Sequence, residues 1–354
     1  MASNWETYVR RVTPYTPGEQ PKEKDIIKLN TNENPYPPCP GVFEALAKMD
    51  AGQLRKYPDP TIGALVEMLA RNNGLKKEQV FVGVGSDDVL AMCFLTFFNS
   101  PVPILFPDIT YSFYDVWAAM LRIPFRQIPL DEHFVIRPED YREVNGGIVI
   151  ANPNAPTGVM LPAAVVEDII RHNRERIVIV DEAYIDFGGE SVLPLIGKYD
   201  NLIVVQTFSK SRSLAGMRIG CAFANDRLIR YLNDVKYSFN SYTLNTPSIL
   251  TGVAALADET YFEETRAKIM ATRERVKPAL RELGFHFEDS KTNFIFAEHE
   301  SISAEELFAY LRSEGIYVRH FGLPRIKNYL RITIGTDEEM DELIRKLRAF
   351  IGSR

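Results

Sequence analysis

Cysteine and histidine are both scarce in this sequence. The three cysteines, Cys39, Cys93 and Cys221, lie far apart, and none forms a CxxC pair or stands near histidine at a metal-binding spacing. This pattern argues against a disulfide framework and a zinc site, and it suits a reducing cytoplasm. The five histidines never occur at HExxH spacing, so we predict no metal site.

Excess positive charge and long apolar runs are also missing. The 41 lysines and arginines against 47 aspartates and glutamates leave a net charge of −6. Nucleic acids and anionic membranes bind basic surfaces, so neither is expected as a partner. The longest apolar run, Val89 to Phe98, is too short to span a bilayer, and the first residues do not resemble an export signal. We therefore expect a cytoplasmic protein.

The composition is that of a globular protein, with 45% apolar and 25% charged residues, and 354 residues suffice for about two domains. Between residues 79 and 224, short apolar runs alternate with amphipathic segments, which is typical of a mostly parallel sheet with helices on both faces. The predicted strands are Val80 to Gly83, Ile104 to Phe106, Ile148 to Ile150, Ile177 to Asp181, Leu202 to Thr207 and Ile219 to Ala224. Helical spacing of apolar residues marks Thr61 to Asn72 and Ala163 to Asn173.

The pattern changes after about residue 245, where charged helical segments span Ser248 to Leu283. The strands predicted beyond them are Phe294 to Ala297, Tyr317 to Arg319 and Leu330 to Ile334, which together indicate a smaller α+β domain. Thr336 and Glu339 have the spacing of a capping box at the start of the last helix. The proline-dense segment Asn34 to Pro40 predicts an extended arm or loop.

Two residues at strand ends suggest chemistry. Lys210 follows a strand end within TFSKSRSLAGMRIG, among small hydroxyl side chains. A lysine attacks a carbonyl only when desolvation or a cationic neighbour keeps its amine partly neutral. Asp181 ends the buried strand IVIVD, at the edge where open α/β sheets bind ligands, so both side chains can face one crevice. The alternatives are a solvated surface lysine and an aspartate that caps a turn or helix.

A third stretch, VGVGSDD from Val82 to Asp88, precedes the apolar helical run. Glycines before a helix start expose backbone N–H groups, and the helix dipole favours a phosphate there. The stretch is not a dinucleotide fingerprint, because GxGxxG would need glycine at Asp88. Ordinary helix capping by Ser86 is the alternative.

Eight motifs along the chain resemble those of a known family. They are NENP, YPDP, GSDD, NPNAPTG, DEAYIDF, TFSKSRSLAG, MRIG and LRITIGT. Their order and spacing are similar to those of the fold-type I, pyridoxal-phosphate-dependent aminotransferases, and most similar to the histidinol-phosphate group of that family. The resemblance extends from Tyr15 to Arg331. It implies a large cofactor-binding domain over residues 30–245 with a mostly parallel sheet, and an N-terminal arm (1–29) with a smaller α+β domain (246–354).

The resemblance also implies how pyridoxal phosphate is held. Lys210 would form the Schiff-base link and shuttle a proton, Asp181 would keep the pyridine nitrogen protonated, and Tyr184 would donate to the phenolic oxygen. Tyr111 would stack on the ring. The phosphate would be held by Ser86 and Asp87 backbone amides, Thr207 and Ser209 hydroxyls, Arg218, and Tyr57 of a neighbouring subunit. A homodimer with shared sites follows from the last contact.

One position departs from the family pattern. The asparagine that normally precedes PTG and contacts the phenolic oxygen is replaced by Ala155. We expect Asn154 to take its place, with Asn152 as a weaker candidate.

For the substrate, the resemblance implies contacts from Tyr15, Asn34, Arg319 and Arg331. Arg331 could hold both a substrate phosphate and the carboxylate of glutamate or 2-oxoglutarate. The implied reaction is ping-pong transamination of histidinol phosphate with 2-oxoglutarate, giving imidazole acetol phosphate and glutamate. Alternatives with the same fold are transamination of aromatic amino acids and decarboxylation of phosphothreonine. A non-catalytic cofactor-sensing module is a more distant possibility, because such proteins usually add a DNA-binding segment that is not evident here.

Overall fold

The computed structural model describes residues 4–23 and 25–354. Within them, thirteen strands form three sheets. In chain order the strands are β1 (Ile27–Lys28), β2 (Val80–Gly83), β3 (Ile104–Pro107), β4 (Phe125–Ile128), β5 (Ile148–Ala151), β6 (Val178–Asp181), β7 (Leu202–Thr207), β8 (Gly220–Phe223), β9 (Phe285–His286), β10 (Phe294–His299), β11 (Ile316–Tyr317), β12 (Arg319–His320) and β13 (Tyr329–Thr333).

Ten α-helices accompany these strands in the same part of the chain. They are α1 (Pro40–Lys48), α2 (Gly63–Asn72), α3 (Gly85–Phe97), α4 (Tyr114–Leu121), α5 (Ala163–His172), α6 (Asp226–Phe239), α7 (Thr246–Ala257), α8 (Glu259–Glu282), α9 (Ala304–Ser313) and α10 (Asp337–Gly352). Short 3₁₀ turns occur at Asn4–Tyr8, Ala51–Arg55, Lys77–Gln79, Pro138–Tyr141, Ile185–Phe187, Leu193–Gly197 and Ala215–Met217.

The largest sheet has seven strands in the order β2-β8-β7-β6-β5-β3-β4. Only β8 runs antiparallel to its neighbours, so the predicted mostly parallel sheet is confirmed. Every residue of β2, β3, β5, β6 and β8 is buried, which explains why these strands read as continuous apolar runs. The edge strand β4 was not predicted, because three of its four residues (FRQI) are exposed and no apolar run marks it.

The second sheet has four antiparallel strands in the order β12-β13-β10-β9. The single strand predicted from Tyr317 to Arg319 is wrong, because the chain changes sheets there: β11 pairs with β1, whereas β12 pairs with β13. The last helix has the predicted capping box between Thr336 and Glu339. The domain boundaries at residues 29/30 and 245/246 stay a prediction.

The helix predicted from Val89 begins four residues earlier, at Gly85. Ser86 therefore lies inside the first turn and does not cap the helix. The side chain of Asp88 instead accepts a hydrogen bond from the backbone N–H of Val84, at 2.9 Å.

No helix within residues 4–23 and 25–354 has the length and apolar character that crossing a membrane requires. The three cysteines are buried and unpaired.

Candidate active site

The carboxyl ends of two neighbouring parallel strands define the site. Asp181 is the last residue of β6 and pairs with Val205 of β7, so the segments that leave both strands start at the same sheet edge. Lys210 lies three residues beyond the end of β7. A cavity of about 180 Å³ lies at this edge. The residues predicted to bind the cofactor that line it are Ser86, Asp87, Tyr111, Asp181, Tyr184, Thr207, Ser209, Lys210 and Arg218.

The amine of Lys210 faces this cavity. Its Nζ donates a hydrogen bond to the carbonyl oxygen of Thr31 at 3.2 Å and lies 5.6 Å from the centroid of the Tyr184 ring. No carboxylate of the described residues lies within ion-pair distance of Nζ. Its direct contacts are thus a backbone carbonyl and an aromatic ring, and the acid Glu33 lines the same cavity.

Asn34 supports the lysine from behind. Its Nδ2 donates to the carbonyl oxygens of Lys210 and Ser211, both at 3.1 Å, and its Oδ1 accepts from the N–H of Tyr36 at 3.0 Å. Both polar ends of this side chain are therefore engaged, and Asn34 does not line the cavity. The side chain of Asn34 supports the backbone of Lys210 in this structure, and its predicted contact with substrate stays a prediction.

The carboxylate of Asp181 is buried and lines the same cavity as Lys210. The Tyr114 hydroxyl donates to its Oδ2 at 2.9 Å, and the N–H of Ala183 donates to its Oδ1 at 3.1 Å. Burial raises the pKa of Asp181 to about 6, although these two hydrogen bonds act in the opposite direction. No cation of the described residues pairs with this desolvated carboxylate, so it suits the protonated ring nitrogen of a ligand.

Tyr184 is held by a residue that sequence reasoning did not single out. Asn32 donates from its Nδ2 to the Tyr184 hydroxyl at 2.9 Å, and the Thr333 hydroxyl donates to Asn32 Oδ1 at 3.1 Å. Because the Tyr184 oxygen accepts this hydrogen bond, its own hydrogen is free to point at a ligand oxygen in the cavity. The sequence signal for Asn32 was its place as the first residue of NENP. In the structure its φ is 56°, a left-handed value that asparagine tolerates better than most residues.

The anion-binding end of the cavity combines a helix start with an arginine. Ser86 lies in the first turn of α3, where backbone N–H groups are unpaired within the helix. Arg218 Nη1 lies 3.4 Å from Ser209 Oγ, and the Thr207 hydroxyl donates to the same oxygen at 3.0 Å. Together these donors form a site for a phosphate group.

Two glycines allow this arrangement. A Cβ on Gly85, which has φ of +84°, would lie 2.5 Å from Arg218 Nη2. A Cβ on Gly220 would lie 2.3 Å from the backbone of Gly85 and Ser86. Only glycine at both places lets the guanidinium and β8 approach the start of α3.

Asp87 contributes more than the backbone amide expected of it. Its carboxylate accepts hydrogen bonds from the Tyr111 hydroxyl at 2.6 Å and from Arg218 Nη2 at 3.3 Å. Burial and the adjacent Asp87 carboxylate raise the pKa of Tyr111, so the phenol stays protonated. Asp87 therefore orients both the aromatic wall of the cavity and the arginine at its anion-binding end.

The expected replacement for the missing asparagine does not reach the cavity. Asn154 donates to Ile109 O and Thr157 Oγ1 and accepts from the Thr110 hydroxyl, so its amide is fully engaged elsewhere. Asn152 exchanges two hydrogen bonds with the backbone of Leu161. Ala155 itself lines the cavity. Asn154 therefore does not line this cavity, and its contact with the cofactor stays a prediction.

A second cavity, of about 660 Å³, adjoins the first and shares Tyr111 and Ala155 with it. Arg319 and Arg331 line it and lie directly opposite each other across β12 and β13. Neither arginine is paired with a carboxylate of the described residues. Arg331 donates to Asn30 O at 3.1 Å, whereas its Nε is buried without a hydrogen-bond partner in this part of the chain. Burial lowers the pKa of Arg331, and the nearby Arg319 adds to this effect.

The remaining predicted residues lie in different surroundings. Tyr15 lines the second cavity and stacks on Phe113, with 4.3 Å between ring centroids. Tyr57 lines neither cavity. Its side chain is 82% exposed and stacks on Tyr242, with 4.6 Å between centroids.

The fit to pyridoxal phosphate follows from these observations. The same cavity is lined by a helix start with Arg218, by the buried carboxylate of Asp181, which no described cation pairs with, and by Lys210. The donor set therefore matches a flat, cationic ring that carries a phosphate at one end and a carbonyl carbon near the lysine.

Comparison with known proteins shows which family the chain belongs to. The aminotransferase class I and II family model matches residues 24–347. Histidinol-phosphate aminotransferases from Brachyspira hyodysenteriae and Lactococcus lactis subsp. cremoris are 51% and 49% identical over 352 and 351 residues, which cover 99% of this chain and of each relative. A solved structure of histidinol-phosphate aminotransferase from Sinorhizobium meliloti in complex with pyridoxal-5'-phosphate has a TM-score of 0.84 at 26% identity, covering 92% of this chain and 91% of that one. The predicted fold-type I architecture is thereby confirmed, and the chain belongs to the class I and II aminotransferases and, within them, to the histidinol-phosphate aminotransferases.

Proposed function

We propose that this enzyme transfers the amino group of histidinol phosphate to 2-oxoglutarate in histidine biosynthesis, producing imidazole acetol phosphate and glutamate. The observation that carries this proposal is the pair of opposed arginines, Arg319 and Arg331, in a cavity that adjoins the cavity lined by Lys210. Two guanidinium groups without a carboxylate partner suit a dianionic phosphate ester. A substrate that places its amine near Lys210 can therefore place its phosphate in the second cavity.

The cofactor of this reaction is pyridoxal phosphate, whose ring accepts the electron pair that is released when the substrate carbon loses its proton. Asp181 would hold the proton on the ring nitrogen through its buried carboxylate. Ser86, Thr207, Ser209 and Arg218 would hold the phosphate, and Tyr111 would cover one face of the ring. These assignments are supported by the residues that line the first cavity and by their hydrogen bonds.

Proton movement falls to Lys210. The Lys210 Nζ would accept the proton that leaves the substrate carbon. It would then deliver this proton to the cofactor carbon. Tyr184, held by Asn32, would donate to the phenolic oxygen beside the lysine. Asn34 would hold the backbone of Lys210 in place through its hydrogen bonds to the carbonyl oxygens of Lys210 and Ser211.

The second half-reaction uses the same cavities. Glutamate and 2-oxoglutarate carry a carboxylate where histidinol phosphate carries a phosphate ester, and a guanidinium binds either group in a bidentate manner. Arg331 is the candidate for both contacts, because its buried Nε has no partner in the described residues.

The working unit that we propose is a homodimer in the cytoplasm, where the three unpaired cysteines would stay reduced. Several large apolar side chains are exposed on the single chain: Phe43, Leu54, Tyr57, Phe239, Tyr242 and Leu250. Such exposure is typical of a surface that another chain covers. Tyr57 on that surface would reach the phosphate of the partner's cofactor.

A parallel assay tests the proposed substrate. The cofactor-loaded enzyme is given 2-oxoglutarate with histidinol phosphate, phenylalanine or phosphothreonine, and glutamate and carbon dioxide are measured. We expect glutamate chiefly from histidinol phosphate. Preference for phenylalanine would assign the second cavity to an aromatic side chain, and carbon dioxide from phosphothreonine would indicate a decarboxylase; either result contradicts the proposal.

A further inference from the structure

Beyond their carboxyl ends, β6 and β7 continue into two segments that carry the residues closest to the predicted chemistry. The segment after β6 carries Tyr184, and the segment after β7 carries Lys210. Inside the sheet, the parallel pairing holds the two strands together as far as Asp181 and Val205. Past that point, other contacts must set the distance between the phenol and the amine.

Two hydrogen bonds between side chains join these segments in the described part of the chain. Close to the sheet, Gln206 Nε2 donates to Glu182 Oε2 at 2.9 Å. Farther from the sheet, the Ser211 hydroxyl donates to Asp186 Oδ2. This outer bond joins the residue next to the lysine with the residue two positions after the tyrosine. It is therefore the bond best placed to fix the amine relative to the phenol.

Asp186 itself does not line the cavity of the predicted cofactor site. It lies in the 3₁₀ turn Ile185–Phe187 and lines a different cavity, together with Gln206 and Ser191. Among the residues that the structure describes, its carboxylate has no ion-pair partner and receives one side-chain hydrogen bond, from Ser211. Any effect of Asp186 on the reaction must therefore pass through the serine that it holds.

Ser211 is held on its side chain and on its backbone. The residue is 2% exposed, so little water competes for the hydroxyl, and a charged acceptor makes a stronger hydrogen bond than a neutral one. Its carbonyl oxygen accepts from Asn34 Nδ2, which also donates to the carbonyl oxygen of Lys210. A shift of the lysine backbone would break at least one of these bonds.

We propose that Asp186 is a positioning residue, which sets the place of the Lys210 amine relative to the Tyr184 hydroxyl by accepting the hydrogen bond of Ser211. This inference rests on the roles proposed for the lysine and the tyrosine. The amine lies 5.6 Å from the centroid of the tyrosine ring, so both groups can serve one bound ligand. A displacement of about 1 Å at such a site is enough to slow a reaction strongly.

Variants of both partners in the cofactor-loaded enzyme test this inference. Asp186→Ala and Ser211→Ala each remove the hydrogen bond, whereas Asp186→Asn removes the charge but keeps an oxygen that can accept it. Glu190→Ala is the matched control, because Glu190 is an exposed acid in the same segment. Single-turnover mixing with histidinol phosphate gives the maximal rate and the half-saturating concentration. A pH titration gives the midpoint at which the visible absorption band of the bound cofactor changes.

We expect Asp186→Ala and Ser211→Ala each to lower the maximal rate by about 10-fold and to leave the half-saturating concentration within about twofold. A hydrogen bond to a charged oxygen favours the deprotonated form, so weaker donation from Tyr184 should raise the pH midpoint by about half a unit to one unit. The double variant should lose no more than either single one, because both changes remove one interaction. Asp186→Asn should stay within about threefold of the wild type, and Glu190→Ala within about twofold.

Unchanged rates in Asp186→Ala, additive losses in the double variant, or equal losses in Asp186→Asn and Asp186→Ala would overturn the inference. A lower melting temperature with an unchanged pH midpoint would also overturn it, since that result indicates a structural role alone. Should Asp186→Ala fail to fold, Ser211→Ala decides by the same quantities. Lys210→Ala distinguishes the two failures, because a visible band retained in that variant would contradict the role proposed for the lysine itself.

Discussion

At the scale of single residues, Asp181 is the group whose chemistry depends most on burial. Its carboxylate has two hydrogen-bond donors, Tyr114 and Ala183, and no cation among the residues that the structure describes. Those donors orient both oxygens but do not offset the loss of water, so the pKa stays near 6. A cationic ring nitrogen in the cavity would supply the missing charge.

This argument predicts how stability depends on pH without cofactor. Asp181 has a pKa of about 6 in the folded protein against an ordinary value of 3.8, so the unfolded chain binds fewer protons between these values. Its contribution to stability is present at lower pH and is lost as the pH rises through about 6. We expect the free energy of unfolding of the wild type, relative to Asp181→Asn, to fall by about 2–3 kcal/mol from about pH 4 to about pH 7.

Urea denaturation of both cofactor-free proteins at several pH values measures this difference. Asparagine suits the site, because its amide can donate to the Tyr114 oxygen and accept from Ala183. Glu182, whose pKa burial raises to about 7, is present in both proteins, so its contribution cancels. If the free energies of unfolding of the two proteins differed by the same amount at every pH, the raised pKa of Asp181 would be contradicted.

Residues were predictable from the sequence where a motif marks them. Lys210, Asp181, Tyr184 and Arg218 lie in such strings, and the structure brings all four to one cavity. Tyr114 has no motif around it, and its importance comes from a hydrogen bond to Asp181 that forms only after folding. The contact predicted for Asn154 rests only on its adjacency to Ala155 in the sequence and stays a prediction. The Asn154 side chain points to Ile109 and Thr157, away from the cavity.

At the scale of elements, the start of α3 is the feature on which the phosphate site depends. It packs against Gly220 of β8 so closely that no side chain fits between them. Arg218 lies two residues before Gly220, in left-handed backbone with φ of 53°, and its guanidinium lies directly over Gly85. The close packing around Gly85 therefore fixes α3, β8 and Arg218 relative to one another.

Gly85→Ala should break that contact. The new Cβ would lie 2.5 Å from Arg218 Nη2, and alanine tolerates φ of +84° poorly. We expect the guanidinium to move away from the phosphate site and the Kd for pyridoxal phosphate to rise by about 10- to 100-fold, the cost of a charge-assisted hydrogen bond. Spectroscopic titration of the cofactor-free protein measures this change.

Gly216→Ala is the matched control. Gly216 lies in the 3₁₀ turn that precedes Arg218, has no positive φ, and a Cβ there would meet nothing within 4 Å. Its Kd should stay close to that of the wild type. An unchanged Kd in Gly85→Ala would show that the arginine does not depend on the helix start.

The elements themselves differed in how well the sequence predicted them. The buried strands β2 and β7 were predicted to the residue, and β3, β5, β6 and β8 to within one residue at either end, because short apolar runs mark buried strands. The edge strand β4 is mostly exposed and has no such run. The break between β11 and β12 depends on their partners: β11 pairs with β1, which lies near the other end of the chain, whereas β12 pairs with β13, which follows it closely. Pairing of that kind is a tertiary property that local pattern does not encode.

At the scale of the whole molecule, the exposed aromatic residues favour a second copy as the partner. Tyr57 and Tyr242 stack on each other although both are exposed, so the pair is preformed on the surface of the single chain. Two further contacts fix the segment that follows Tyr57: Lys236 Nζ donates to Pro60 O at 2.9 Å, and the Tyr237 hydroxyl donates to the same oxygen at 3.2 Å. A rigid, exposed tyrosine is suited to enter a neighbouring site at low entropic cost.

Co-expression of two impaired variants tests whether Tyr57 acts across subunits. Lys210→Ala removes the essential amine from one chain, and Tyr57→Phe removes the hydroxyl from the other. In a twofold-symmetric dimer with sites shared between subunits, a hybrid holds one site with both residues intact and one with neither. Random pairing makes half of the dimers hybrids, so co-expression should restore about a quarter of wild-type activity above the Tyr57→Phe background. If Tyr57 served its own chain, no hybrid would contain an intact site, and the mixture would show only the average of the two variants.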